Sequence, residues 1–413
     1  MITVKPFRAL RPREDMVEVI SSENFDSSFK HLSIEEMQRN PLSYLHVAKQ
    51  HLNFPDEKKS VDKHFPLAKT QLNELISQGL LVKEAKPAYY LYRQVKDGHS
   101  YLGIIAGVHA EDFKNNRIRK HEHTRTDKEY EMAKHMEITE TIGTAVLVTY
   151  HNTETIDTIM ANELNKKPTY DFIQRGVRHS VWVISDEKTV ETISKELSNL
   201  SDVYIADGHH RSASLVNHYL QRRSENKNHT GQEAYNFLQT YFVPANLLFI
   251  YEYNRVVKVP SSKSGYKVIK KICENFKVEK YKKGPCKPDK MHQFGMYFEG
   301  AWYLLKAKDK IVDELHPLKV LDVSILEDYI LKPILEIKDS KTDERIAFID
   351  GSKGLDFLQE RVDKGKFDIA FTLYPTTIEQ VMAVADINET MPPKSTWIEP
   401  KMRTGFIVQD LRS

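Results

Sequence analysis

A short apolar run, Val203-Tyr-Ile-Ala206, stops abruptly at Asp207-Gly208-His209-His210-Arg211, and Leu215 and Tyr219 then recur at helical spacing. Apolar residues in unbroken succession suit a strand buried on both faces, and a glycine turn that opens straight into a helix is the connection of an α/β layer. The spacing predicts a helix from about Ser212 to Arg223. The same junction has a chemical meaning. A strand–turn–helix aims unpaired backbone N–H groups and the positive end of the helix dipole at one spot. Gly208 lets the backbone come close to an anion, and Arg211 can fork onto two phosphate oxygens. His209 and His210 add hydrogen-bond donors, while Asp207 is placed to hold a cation or orient a hydroxyl. The plain alternative is a capped helix with two surface histidines. Four polar groups packed at one strand end favour the phosphate cradle.

Further along, helical and strand patterns alternate for most of the 413 residues, which predicts an α/β (α+β) architecture. Pro66 and Gly79 bracket an amphipathic helix. Tyr89 to Val95 and Tyr101 to Val108 read as a hairpin about Asp97-Gly98. Strands are expected at 145–150 and 177–184, with a helix at 186–197. Beyond a lysine-rich stretch at 258–283 comes a second hairpin, 293–304, turning at Glu299-Gly300, then helices near 320–331, 355–362 and 378–385 with strands near 346–349 and 369–373. The expected domains are an N-terminal α/β region over 1–105, a central domain over 106–255 and a C-terminal α/β domain over 256–413.

Charge and cysteine content narrow the partners. With 60 basic and 58 acidic residues the formal charge is +2, which lacks the electrostatic footprint of a dedicated nucleic-acid binder. Cys273 and Cys286 are too few for a disulfide framework or a four-thiolate zinc site. The first residues carry no signal-like apolar stretch, and no run approaches the roughly 20 apolar residues of a spanning helix. The expectation is a soluble cytoplasmic protein with no membrane partner. There is no Walker loop, dinucleotide fingerprint, kinase Asp-Phe-Gly or Gly-x-Ser-x-Gly elbow, so phosphate is bound by a less common route.

A second constellation is Lys120-His121-Glu122-His123-Thr124-Arg125-Thr126-Asp127. A carboxylate flanked by bases suits general-base work if a phosphate site lies across from it. His121 and His123 also form a His-x-His pattern suited to a metal, whereas Arg125 breaks the zinc-protease spacing. On spacing alone a solvated loop explains this segment equally well. His179, near Gly176 and Trp182, and Asp26, in a polar stretch near the start, are candidate substrate contacts. The run from Met391 through Pro392-Pro393-Lys394 to Trp397, Glu399, Pro400, Lys401 and Arg403 reads as structural first and as an active-site rim second.

Four stretches together, VKPFRALRP at 4–12, RKHEHTRTDKE at 119–129, VYIADGHHRSA at 203–213 and MPPKSTWIEPKMRTG at 391–405, resemble a bacterial family catalogued as a domain of unknown function. Its central segment is similar to the free-serine kinases, which share the fold of ParB partition proteins and sulfiredoxin. The resemblance implies a ParB/sulfiredoxin-like catalytic domain with flanking α/β domains. It implies transfer of a phosphoryl group to the hydroxyl of free L-serine. Glu122 would be the general base, supported by His121. Gly208, His209, His210 and Arg211, with Lys120 and Arg125, would bind phosphate, and Asp207 would hold Mg2+. The donor would be inorganic pyrophosphate, or else ADP or ATP. Near the start many members carry Pro-Tyr-Asp where this chain reads Glu23-Asn24-Phe25-Asp26, and only Asp26 matches. Two rival expectations stand beside this one. A metal-dependent phosphohydrolase would gather His121, His123, His209 and Asp207 around an ion. A ParB-like, nucleotide-switched DNA clamp would need a basic DNA-reading module after the core.

Overall fold

The computed structural model describes residues 1–23, 30–54, 61–260 and 264–412. The chain is a mixed α/β protein of two units, one made of Met1–Leu248 with Pro400–Ser413, the other of Phe249–Glu399. This division differs from the expected one. Residue 105 falls inside the strand His99–His109, which pairs with Tyr89–Lys96 on one side and Phe237–Pro244 on the other. A cut there would sever the middle of a sheet, so residues 1–105 and the region after them share one core. The later break falls at 248/249 rather than 255, and the chain comes back to the first unit at Pro400.

The larger unit is built on a nine-stranded sheet. Its main path runs Ile118–Arg119, Val203–Asp207, Val146–Tyr150, Phe237–Pro244, His99–His109, Tyr89–Lys96, Val177–Ile184 and Tyr170–Gln174, and Val4–Lys5 pairs with the far end of His99–His109. The pairing is parallel where Ile118–Arg119 meets Val203–Asp207 and where Val146–Tyr150 meets Phe237–Pro244, and antiparallel elsewhere along that path. The hairpin turns as its sequence requires: Asp97 and Gly98 both have positive φ, 50° and 81°, the pair of left-handed residues that matches the twist of the flanking strands. Leu91, Ile104, Val148, Ile205 and Leu215 are buried in one core beneath this sheet.

A four-stranded sheet in the same unit orders Leu81–Lys83, Ala9–Pro12, Val408–Asp410 and Thr141–Ile142. It covers a second core that includes Leu10, Tyr44, Leu72, Leu75 and Val408. The helix Phe65–Ser77 supplies Leu72 and Leu75; it has Pro in its first turn, and Gly79 follows it at φ 65°. Such placement of Pro and Gly is the expected asymmetry of a helix start and stop.

In the smaller unit a six-stranded antiparallel sheet orders Phe276–Tyr281, Ala301–Ala307, Gln293–Phe298, Ile369–Leu373, Tyr253–Val257 and Ile346–Asp350. Val256, Tyr297, Trp302, Leu358 and Ala370 form its core. Among the described residues no helix is long and apolar enough to cross a membrane.

One position tests the central pairing. At Gly103 an added Cβ would lie 2.1 Å from the backbone oxygen of Phe242, with the Tyr241 and Val243 side chains close by. A backbone atom inside a sheet cannot step aside as a side-chain tip can. Gly103→Ala is therefore expected to destabilise the larger unit by about 3 kcal/mol. A denaturant midpoint equal to wild type would contradict this account of the sheet.

Candidate active site

Two strands set the site. Ile118–Arg119 runs parallel to Val203–Asp207, pairing Ile118 with Val203 and Arg119 with Tyr204. Both strands leave the sheet at the same end, so the segments that follow them, 120–125 and 208–211, emerge side by side. The carboxyl ends of adjacent parallel strands are where α/β sheets bind ligands. A register shift between Ile205 and Asp207 marks the point where the second strand departs from its other neighbour, Val146–Tyr150.

Gly208 then takes a left-handed conformation, φ 102°, and the helix His209–Glu225 begins at once. An alanine there would be strained, and its Cβ would sit 2.8 Å from the Arg211 guanidinium. The Ser212 N–H bonds the Gly208 carbonyl at 3.0 Å, and no side chain caps the first turn. The helix begins three residues earlier than the periodicity suggests, which makes His209, His210 and Arg211 its first-turn residues. It packs against Thr126–Thr139, the helix that follows the Glu122 segment.

The expected base and the expected cradle are brought together. Glu122 Oε2 lies 3.6 Å from His209 Nδ1. His121 is buried edge-on against His209, ring centroids 4.5 Å apart. The backbone N–H of Arg125 donates to His210 Nε2 at 3.2 Å and ties the two segments a second time. Glu122 itself is about half exposed, its side chain 46% accessible, so it can meet a substrate from solvent.

Charge around the turn is strongly organised. Arg211 Nη2 lies 2.5 Å from Asp207 Oδ2, and Lys401 Nζ lies 2.8 Å from Asp207 Oδ1. Burial alone would push the Asp207 carboxyl up; the two cations outweigh it and hold the group well below the usual carboxylate range. Burial acts the other way on the histidines. It pushes His209 well below its usual value, helped by the neighbouring His121, and takes His121 down to about 4 although Asp207 and a backbone hydrogen bond at Ile205 oppose it. Both rings are neutral near pH 7. His121 Nδ1, His209 Nε2 and Arg211 Nε are buried with no hydrogen-bond partner among the described residues. Of these, Arg211 Nε is a donor that an anion at the uncapped helix start would satisfy, whereas the neutral His121 spends its N–H on the Ile205 backbone and its Nδ1 can only accept.

Burial of His121 gives a pH dependence with a definite sign. The unfolded chain takes up a proton near pH 6.5, before the folded chain does, so the stability due to a neutral His121 is present above about 6.5 and is lost as pH falls toward 4. The span corresponds to about 3 kcal/mol. Thermal melts of wild type and His121→Gln are expected to diverge above pH 6.5 and converge near pH 4. Parallel pH profiles would rule this out.

Several expected roles are changed by the geometry. The Arg125 guanidinium is forked onto Asp127, at 3.1 and 2.8 Å, so its ties to the turn run through its backbone. Lys120 is exposed. Asp207, the expected Mg2+ ligand, has Arg211 against one oxygen and Lys401 against the other. The metal set of the phosphohydrolase reading is not assembled: His123 is exposed while His121 is buried, and among the described residues no group of three or more His, Cys, Asp or Glu side chains is placed to hold an ion. His179 is buried on the strand Val177–Ile184, hydrogen-bonded to Tyr92. Asp26 lies outside the described residues. Lys401, assigned no role from the sequence beyond a rim, is the residue that was missed. Its signal was the alternation of two cations, Lys401 and Arg403, just after Pro400.

Fold and site together define a mixed α/β protein with a strand–glycine-turn–helix junction whose first turn lies beside a carboxylate. The chain belongs to the family described as "Protein of unknown function (DUF1015)", whose profile matches residues 4–324. Nothing among curated proteins matches it. Solved structures similar to it include a free serine kinase in complex with AMP, at 13% identity and TM-score 0.36, covering 72% of this chain and 87% of that one. A conserved hypothetical protein from Pyrococcus furiosus is similar at 14% identity and TM-score 0.34, covering 72% and 90%. SbnI with a C-terminal truncation, from Staphylococcus aureus, is similar at 11% identity and TM-score 0.37, covering 72% and 84%.

Proposed function

We propose that the protein is a phosphotransferase that moves a phosphoryl group from inorganic pyrophosphate, or from ADP or ATP, to the hydroxyl of free L-serine, giving O-phospho-L-serine. The observation that carries this reading is the 3.6 Å approach of the Glu122 carboxylate to His209 at the uncapped helix start. A base and an anion cradle on facing segments are the two parts that phosphoryl transfer asks of a protein, since positioning and charge stabilisation do most of the work.

Glu122 accepts the hydroxyl proton as the serine oxygen attacks the terminal phosphorus. The new O–P bond forms while the bridging P–O bond breaks, and phosphate, AMP or ADP leaves with the bridging electron pair. First-turn N–H groups, Arg211 and Lys401 meet the charge on the phosphoryl oxygens, and the neutral His209 adds an N–H donor without adding charge. Asp207 fixes both cations so that they need not reorganise during the reaction. The test is purified full-length protein with L-serine and the Mg2+ salt of pyrophosphate, ADP or ATP in turn, scored for phosphoserine. Product with one donor supports the reading, and no product with any of them rejects it.

A further inference from the structure

We infer that Arg403 and His179 form the receptor for the carboxylate of the acceptor amino acid. The identity of that acceptor rests on the phosphotransferase reading; the receptor rests on its own geometry. Arg403 is 1% exposed. Its Nε donates to Ser21 Oγ at 3.0 Å and its Nη2 donates to the Ser21 carbonyl, while the guanidinium lies over the Phe172 ring, 5.5 Å from its centroid. Ser21 and Phe172 carry no charge. Among the described residues no carboxylate is in direct contact with Arg403, on which Glu23 and Glu36 act only at longer range, and its Nη1 is buried without a hydrogen-bond partner. A guanidinium cannot shed its proton in a protein, so this is a buried positive charge with an unused donor. Left alone it is strongly unfavourable, and an anion relieves it.

His179 supplies the second donor. It is 3% exposed and tilted against the same Phe172 ring, 5.2 Å between centroids. Its Nδ1 lies 2.8 Å from the hydroxyl of the fully buried Tyr92. Burial and the nearby Arg403 push the imidazole down to about 3, so the ring carries one proton at neutral pH. The receptor requires the tautomer in which the Tyr92 hydroxyl donates to Nδ1 and the ring hydrogen sits on Nε2. That atom also is buried without a partner. Phe172 thus has on its flanks the unpartnered Arg403 Nη1 and His179 Nε2 and a positive charge that no direct ion pair neutralises, the complement of a carboxylate's two oxygens and single negative charge.

The position along the chain agrees. Arg403 follows Lys401 by two residues, which keeps their Cα atoms within about 7 Å. Lys401 reaches Asp207 at the phosphate turn, so one segment furnishes a cation for each end of an acceptor that carries a hydroxyl at one end and a carboxylate at the other. If Arg403 served only to clamp the Ser21 backbone, its loss would lower stability without changing which ligands bind.

Calorimetric titration of the full-length protein with L-serine and with L-serinamide, whose carboxylate is a neutral amide, separates the two roles. Wild type is expected to bind L-serine about 100-fold more tightly. Arg403→Gln should bring that ratio to within about 3-fold and His179→Phe to within about 10-fold, whereas Glu122→Gln should keep it whole. A wild-type ratio near one overturns the receptor, and so does an unchanged ratio in a folded Arg403→Gln. Should that variant not fold, the wild-type ratio and His179→Phe decide. A preserved, Arg403-dependent ratio with no phosphoserine from any donor leaves the receptor standing and removes the phosphotransferase reading. Phosphoserine formation with a ratio near one does the reverse.

Discussion

Glu122→Gln is expected to fold normally, to bind its donor as wild type does, and to turn over about 10²–10⁴-fold more slowly. The substitution keeps the size and most of the hydrogen-bonding shape of the side chain while removing its ability to take a proton. Because Glu122 is about half exposed and its neighbour His209 is neutral, the fold loses no buried charge pair. A loss confined to kcat, with the donor's affinity unchanged, is the pattern of an interaction made as the hydroxyl is deprotonated. Initial rates of phosphoserine formation alongside donor titration provide both numbers. Wild-type turnover in this variant would take the base role away from Glu122 altogether.

Lys401→Met should cost about 10²–10³-fold in turnover. Two explanations of such a loss must be separated, because the substitution also deprives Asp207 of one of its two cations. If Lys401 merely balances Asp207, the double variant Asp207→Asn with Lys401→Met removes charge and countercharge together and should recover most of the activity. If Lys401 meets the donor's oxygens, the double variant should stay as slow as the single one, and Lys401→Arg should restore part of the rate. The phosphotransferase reading requires the second result. Recovery in the double variant would reduce Lys401 to a neutralising partner.

Much of this arrangement could be read from residue order, and the parts that could not share a cause. The strand Val203–Asp207 and its turn were legible because an apolar run ending in Asp-Gly is a local pattern. The hairpin at 89–109 was legible for the same reason, down to Asp97-Gly98. What escaped depends on partners far away in the chain. Ile118–Arg119 is a two-residue strand, too short for any periodicity, yet its parallel pairing with Val203 and Tyr204 is what sets Glu122 opposite the turn. The first-turn histidines looked like loop because Gly208 begins the helix in a left-handed conformation that hydrophobic spacing does not register. The boundary near 105 failed because the hairpin looks like an edge until its long pairing with Phe237–Pro244 is seen. Thr126–Thr139 buries only Met136 and Thr139, leaving almost no apolar stripe to announce a helix. Lys401 meets Asp207 across 194 positions, and the alternating cations after Pro400 do not name that partner.

The strand Val408–Asp410 lies between Ala9–Pro12 and Thr141–Ile142, so the first and last stretches of the chain are stitched into one sheet. A nascent polypeptide on the ribosome therefore makes both the Glu122 segment and the glycine turn, then some 150 residues of the smaller unit, before it has Lys401 or the closing strand. Contacts so distant in the chain form late. The proposed catalyst would therefore gain Lys401 only after the smaller unit has been made, and a chain stopped at residue 399 would hold the Glu122 segment and the glycine turn but lack one of the two cations on Asp207.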